Sequence, residues 1–97
     1  MLLHIFKHGL TSHFLLQKLI NNLINNNTNT LLLIQNGVYW GNYLKTVNFL
    51  EFIPIYALQQ DVNAREIAFS FKDHKIKLIN YAEFVELVLN HDKIINW

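Results

Sequence analysis

The sequence predicts an α/β fold: a small three-layer, flavodoxin-like sandwich on a mostly parallel sheet of four to five strands. Three observations lead there. Short apolar runs alternate with stretches whose apolar residues recur at three- and four-residue spacing, the β-α-β-α-β-α-β-α order of a parallel sheet with helices on both faces. The run Leu31-Leu32-Leu33-Ile34 is aliphatic at every position, which suits a strand covered on both sides. A chain of 97 residues makes one small domain, 1–97, that hides roughly 60–65% of its unfolded surface.

Leu2 to Phe6 reads as the first strand, ended by the polar, Gly-containing turn Lys7-His8-Gly9. Ser12 is placed to cap the following helix with its hydroxyl. Leu15, Leu16, Leu19, Ile20, Leu23 and Ile24 share one face of that helix, and Asn25 to Asn29 terminates it. Thr30 to Ile34 forms the second strand. Gly37 to Val47 holds a short irregular helix or turn carrying Tyr39, Trp40 and Tyr43. Pro54 opens a third strand, Pro54 to Leu58, where it need not donate to the ladder. Gln60 to Ile67 is helical, Lys75 to Ile79 is a fourth strand, and Tyr81 to Leu89 is an amphipathic helix through Phe84, Val85, Val88 and Leu89. The tail, Lys93 to Trp97, adds an edge strand or lies across a neighbour.

Composition narrows the function. Hydrophobic residues make up 52% of the chain and charged residues only 15%, too little charge to coat a small sphere. Asparagine replaces charge on part of the surface, and a second subunit is expected to cover another part. Net charge is +1 with the basic residues scattered singly, which excludes the basic face that direct nucleic-acid binding needs. There is no cysteine, and with it go disulfides, thiolate metal ligands and thiol nucleophiles. The opening MLLHIF is too soon interrupted by Lys7 and His8 for a signal peptide, and no apolar run approaches a membrane span, so a cytoplasmic protein is expected.

In an open parallel sheet, chemistry sits outside the carboxyl ends of the strands. Those ends carry Lys7-His8-Gly9, Gln35-Asn36-Gly37, Gln59-Gln60-Asp61 and Asn80-Tyr81, polar groups without a nucleophile. Three glycines form neither a dinucleotide fingerprint nor a phosphate loop. His4, His8 and His13 fall on a strand, a turn and a helix start, and no HxxxH pair falls within one helix as helical zinc ligands require, so neither metal nor cofactor is expected. Asp61 suits a helix start and Glu66 plain solvation better than an acid-base pair. Asp61 and Arg65 stand one turn apart, the spacing of a local ion pair or of a contact to another subunit. Tyr39, Trp40 and Trp97 are assigned to an interface, because Trp and Tyr anchor interfaces when no core takes them.

Several of these segments together resemble a known family. Leu3-His4, LLLIQNGV (Leu31 to Val38), YALQQDVNAR (Tyr56 to Arg65), INYAEFVELV (Ile79 to Val88) and the closing Trp97 look like the TusB/DsrH family, the smallest of three homologous subunits of the DsrE-like superfamily. The segment Ala57 to Arg65 is its most specific part. Two positions depart from the family pattern: Glu66 stands where a glycine usually follows the Ala-Arg pair, and Asn36 replaces an acidic residue before Gly37. A positive φ at that glycine position would strain Glu66.

The resemblance implies a DsrE-like fold, a cytoplasmic location, and assembly with homologous C-type and D-type subunits into a TusBCD complex, a dimer of heterotrimers. Such a complex takes persulfide sulfur from a TusA-like donor and passes it, through a cysteine of the D-type subunit, to a TusE-like acceptor. The sulfur ends as the 2-thio group of the wobble uridine of tRNA. Some relatives carry a cysteine on the first helix; this chain has none, so a non-catalytic, structural role is implied. The competing expectation is a self-sufficient flavodoxin-like protein that binds a flavin or another small ligand. A third possibility, a module that presents the tRNA itself, is disfavoured by the scattered charge.

Overall fold

The computed structural model describes residues 2–25, 28–47, 52–68 and 75–97. Five parallel strands form one sheet: β1 (Leu2–Phe6), β2 (Asn29–Leu33), β3 (Ile55–Leu58), β4 (Ile76–Ile79) and β5 (Lys93–Asn96), in the order β4-β3-β2-β1-β5. The first three connections step one strand at a time in one direction. They carry α1 (His13–Ile24), a 3-10 turn (Gln35–Trp40) continuing into α2 (Gly41–Leu44), and α3 (Gln59–Ala64). The fourth connection, through α4 (Tyr81–Leu89), returns across the whole sheet to place β5 beside β1. Right-handed crossovers put steps in opposite directions on opposite faces, so among the described helices α4 lies on the face opposite the others.

The side-chain clusters follow from this. On one face Phe6, Leu31, Leu33, Ile55, Ala57 and Ile76 pack against Leu16, Leu19, Ile20 and Leu23 of α1, against Val38, Trp40 and Leu44, and against Val62 of α3. The other face buries Leu3, Ile5, Leu32 and Ile79 against Phe84, Leu87 and Val88 of α4. Alternation along each strand sends neighbouring residues to opposite layers, and all five residues of β2 are buried, as its aliphatic run predicts. The three-layer expectation therefore holds, with unequal outer layers.

Several local expectations shift. Ser12 occupies the N-cap of α1, but its hydroxyl makes no capping bond; its carbonyl accepts from Leu16 N–H instead. The second strand starts at Asn29 because that side chain is bonded inside the fold. Pro54 precedes β3 and accepts from Leu31 N–H through its carbonyl. Asn80 caps α4: its Oδ1 accepts from Glu83 N–H at 2.8 Å while Glu83 Oε1 accepts from Asn80 N–H at 3.0 Å, a reciprocal capping box. Val85 and Leu89, expected on the inner face of α4, are exposed; Phe84, Leu87 and Val88 face the sheet. The tail forms an edge strand, with Leu3 opposite Ile94 and His4 opposite Ile95. No helix among the described residues is long and apolar enough to cross a membrane.

Candidate functional site

At the carboxyl ends of the strands, the turn after β2 meets the start of α3. Asp61 Oδ2 accepts from the backbone N–H of Gln35 at 2.7 Å, and Asp61 Oδ1 lies 3.4 Å from Arg65 Nη1. Arg65 donates from Nε to Asn36 Oδ1 at 2.9 Å and from Nη1 to the Asp61 carbonyl at 3.2 Å. These bonds lock the 3-10 turn to α3. They also hold Gln35 at φ 50, a left-handed conformation uncommon for a side chain of its size. The local Asp61–Arg65 pair is thus present, and its groups are largely engaged within the chain.

Gly37 explains why the turn sits where it does. A Cβ at this position would run into the Phe6 carbonyl, so only glycine lets the turn press against the end of β1. Ile34 N–H donates to the same Phe6 oxygen. α3 then ends in a Schellman motif: Glu66 N–H donates to the Asn63 carbonyl and Ile67 N–H to the Val62 carbonyl, with Ile67 and Val62 in the same apolar cluster. The motif places Glu66 at φ 52. Glu66 thus takes the positive φ at which a side chain is strained.

The aromatic residues divide. Trp40, assigned to an interface from the sequence, is instead part of the chain's own core at 4% exposure; its indole N–H is shared between the His8 and Gly9 carbonyls at 3.1 Å each. The 3-10 turn points it inward, and His13 and Tyr43 pack edge-on against it. Tyr39 and Tyr43 remain exposed. Trp97 docks on its own chain: its backbone N–H donates to the Ile5 carbonyl and its ring stacks on His4.

His4 is 1% exposed and belongs to a buried polar chain that spacing alone does not reveal. Trp97 Nε1 donates to His4 Nδ1 at 3.0 Å, His4 Nε2 meets Asn29 Oδ1 at 3.0 Å, and Asn29 Nδ2 reaches the Asn22 and Leu23 carbonyls in the last turn of α1 at 3.3 Å. On the opposite face, His91 bridges the Leu87 carbonyl and the Thr30 hydroxyl, tying the end of α4 to β2. Among the described residues no group of His, Asp and Glu is arranged to hold a metal ion. What the strand ends offer is hydrogen-bonded structure without a thiol or any other activated nucleophile.

These features define a parallel α/β sandwich whose polar ends are braced internally. The family model described as DsrH like protein matches residues 13–94, and the chain belongs to that family. It is similar to Protein TusB of Serratia proteamaculans (strain 568), with 42% identity over 72 residues that cover 69% of this chain and 73% of that protein. Among solved structures, the ychN protein of E. coli shares the fold at a TM-score of 0.71, with 14% identity over 99% of this chain and 97% of that one. Protein Tm0979 of Thermotoga maritima follows at a TM-score of 0.63, 29% identity and 95% coverage of both chains.

Proposed function

We propose that the chain is a non-catalytic structural subunit of a TusBCD-type sulfur-transfer complex, supporting 2-thiolation of the wobble uridine of tRNA in the cytoplasm. The observation that carries this reading is the complete lack of cysteine in a chain of the DsrH family. Sulfur transfer through a persulfide needs a thiolate that attacks the donor's outer sulfur, releases the donor thiolate, and later gives that sulfur up to the next thiolate. This chain cannot supply the attacking group, and in this reading the sulfur-carrying cysteine is on the D-type partner, as the family resemblance implies. The name of the Serratia relative supports the assignment to this relay.

In this reading the chain completes a dimer of heterotrimers with homologous C-type and D-type subunits, and the TusA-like donor and TusE-like acceptor visit the assembly. Tyr39, exposed beside Tyr43, is available to such a contact; Asp61 and Arg65 contribute by bracing the surface next to it. Native mass spectrometry of the chain, alone and co-expressed with the C-type and D-type subunits of the same genome, tests the proposal. A hexamer with two copies of each chain is expected. A chain that ignores both partners overturns it.

A further inference from the structure

One helix is apolar on both sides. α4 buries Phe84, Leu87 and Val88 against the sheet, yet none of its residues is fully covered, and Tyr81, Val85 and Leu89 are 60%, 40% and 77% exposed. Apart from Glu83 and Glu86 the helix is apolar, and its outward apolar residues are of the kind a solvated helix keeps inside. α1 turns the polar run Gln17, Lys18, Asn21 and Asn22 to solvent along its middle and exposes apolar side chains only toward its ends, at Phe14 and Ile24. The outward residues of α4 are Ala82, Val85, Glu86 and Leu89, at the i, i+3, i+4, i+7 spacing into which a second helix packs. Beside this stripe the α4 layer leaves an open groove of about 160 Å³ over β3 and β4, with Tyr56, Lys77 and Ile79 on its floor and Glu83 and Glu86 on its rim.

We propose that the outer stripe of α4 is the seat of a helix from a different subunit, one that presents an apolar face with a lysine or arginine set against Glu86. The charge decides between this occupant and a second copy. An antiparallel pair of α4 helices related by a two-fold axis would be centred between Val85 and Glu86, the midpoint of the stripe, and would bring two Glu86 carboxylates together. Among the described residues no side chain bonds to Glu86 or pairs with it at contact distance, Lys77 in the adjoining groove included, so none of them neutralises it. A basic residue on the incoming helix does, at the moment it leaves water. Ile94 of β5 faces the same side as Leu3, which α4 covers, and extends the apolar surface toward the roughly 800 Å² per partner that a stable contact uses.

The inference rests on the hetero-assembly reading, and the test separates the two. Leu89→Glu and Glu86→Lys are introduced into the chain co-expressed with the C-type and D-type subunits, and incorporation is read by native mass spectrometry. At least a tenfold loss of incorporation is expected for each, with the far-ultraviolet circular dichroism melt of the variant chain unchanged because both positions face outward. Full incorporation of wild type and both variants overturns the stripe as the seat while the relay-subunit reading stands. Failure of the wild-type chain to incorporate removes that reading, and sedimentation of the isolated chain then tests the stripe. A dimer dissociated by Leu89→Glu assigns the stripe to a second copy, and a monomer leaves it without an occupant; either result overturns the proposal.

Discussion

Trp97 donates its indole N–H to Nδ1 of His4 across 3.0 Å, and the two rings stack with centroids 6.0 Å apart. An indole only donates, so the contact puts the lone pair on Nδ1 and the proton on Nε2, which then donates to Asn29 Oδ1. A second ring proton would set two donors against each other. Burial works in the same direction, lowering the His4 pKa below its ordinary 6.5, with the Asn29 bond opposing it. The unfolded chain therefore takes up a proton before the folded one does. The His4 contribution to stability is complete above about pH 6.5 and is lost as pH falls through that value toward the lower folded pKa. Urea midpoints compared at about pH 7.5 and about pH 5.5 should fall further for the native chain than for His4→Gln, which cannot titrate. Equal falls would detach His4 from the effect.

Replacing Trp97 by Phe keeps an aromatic ring over His4 and removes the donor. The buried Nδ1 is then left without a partner, at a cost of about 1 kcal/mol or more, or roughly 4–8 °C in Tm. Calorimetry of the Trp97→Phe variant reads this directly, and an unchanged Tm would mean that stacking alone holds the tail.

Glu66→Gly should stabilise the chain. A left-handed backbone costs an L-residue about 1–2 kcal/mol, and glycine's greater freedom in the unfolded chain takes back part of the gain. A net rise of about 0.5–1 kcal/mol is expected in chemical denaturation, with the Schellman bonds of Glu66 and Ile67 retained.

Gly37→Ala should do the opposite. Its methyl meets backbone at Phe6, which cannot move aside without disturbing β1, and a loss of about 3 kcal/mol is expected. Gly9→Ala is the control: its Cβ meets the Asn36 side chain at 3.3 Å, which yields more easily, so a loss under about 1 kcal/mol is expected. Similar urea midpoints for the two variants would show that the Phe6 contact does not set the position of the turn.

Asp61→Ala removes the acceptor for Gln35 N–H and the partner of Arg65 together. The expected loss is about 1–3 kcal/mol, with faster amide exchange at Gln35 than at the buried strand residues beside it. Protection at Gln35 equal to wild type would mean that the turn is held by Gly37 alone.

Much of the architecture was legible because it is written in local pattern. The aliphatic run of β2, the apolar face of α1 and the order of strands and helices required no knowledge of distant partners. The misassignments share one physical origin. Trp40 reads as a surface ring until the 3-10 turn, enforced by Gly37 against Phe6, points it inward. α4 has apolar residues on every side, so periodicity alone could not say that Phe84, Leu87 and Val88 face the sheet while Val85 and Leu89 do not. The bonds of Asp61 to Gln35 and of Trp97 to His4 join positions far apart in the chain, and pattern within a window carries no signal for them. Glu66 was legible as a strained position only through comparison with a family glycine.

The pairing of Leu2 with Lys93 makes the first strand and the last into neighbours. Closing so long a loop carries a large entropic cost before any contact repays it, and pairings of this kind slow folding. During synthesis β1 emerges early and can acquire β2, but its other edge stays open until residues 93–96 leave the ribosome. Throughout that interval the nascent chain presents a bare strand to which any other extended segment could add. Until β5 pairs, the open edge of β1 is where misassembly of the folding chain would begin.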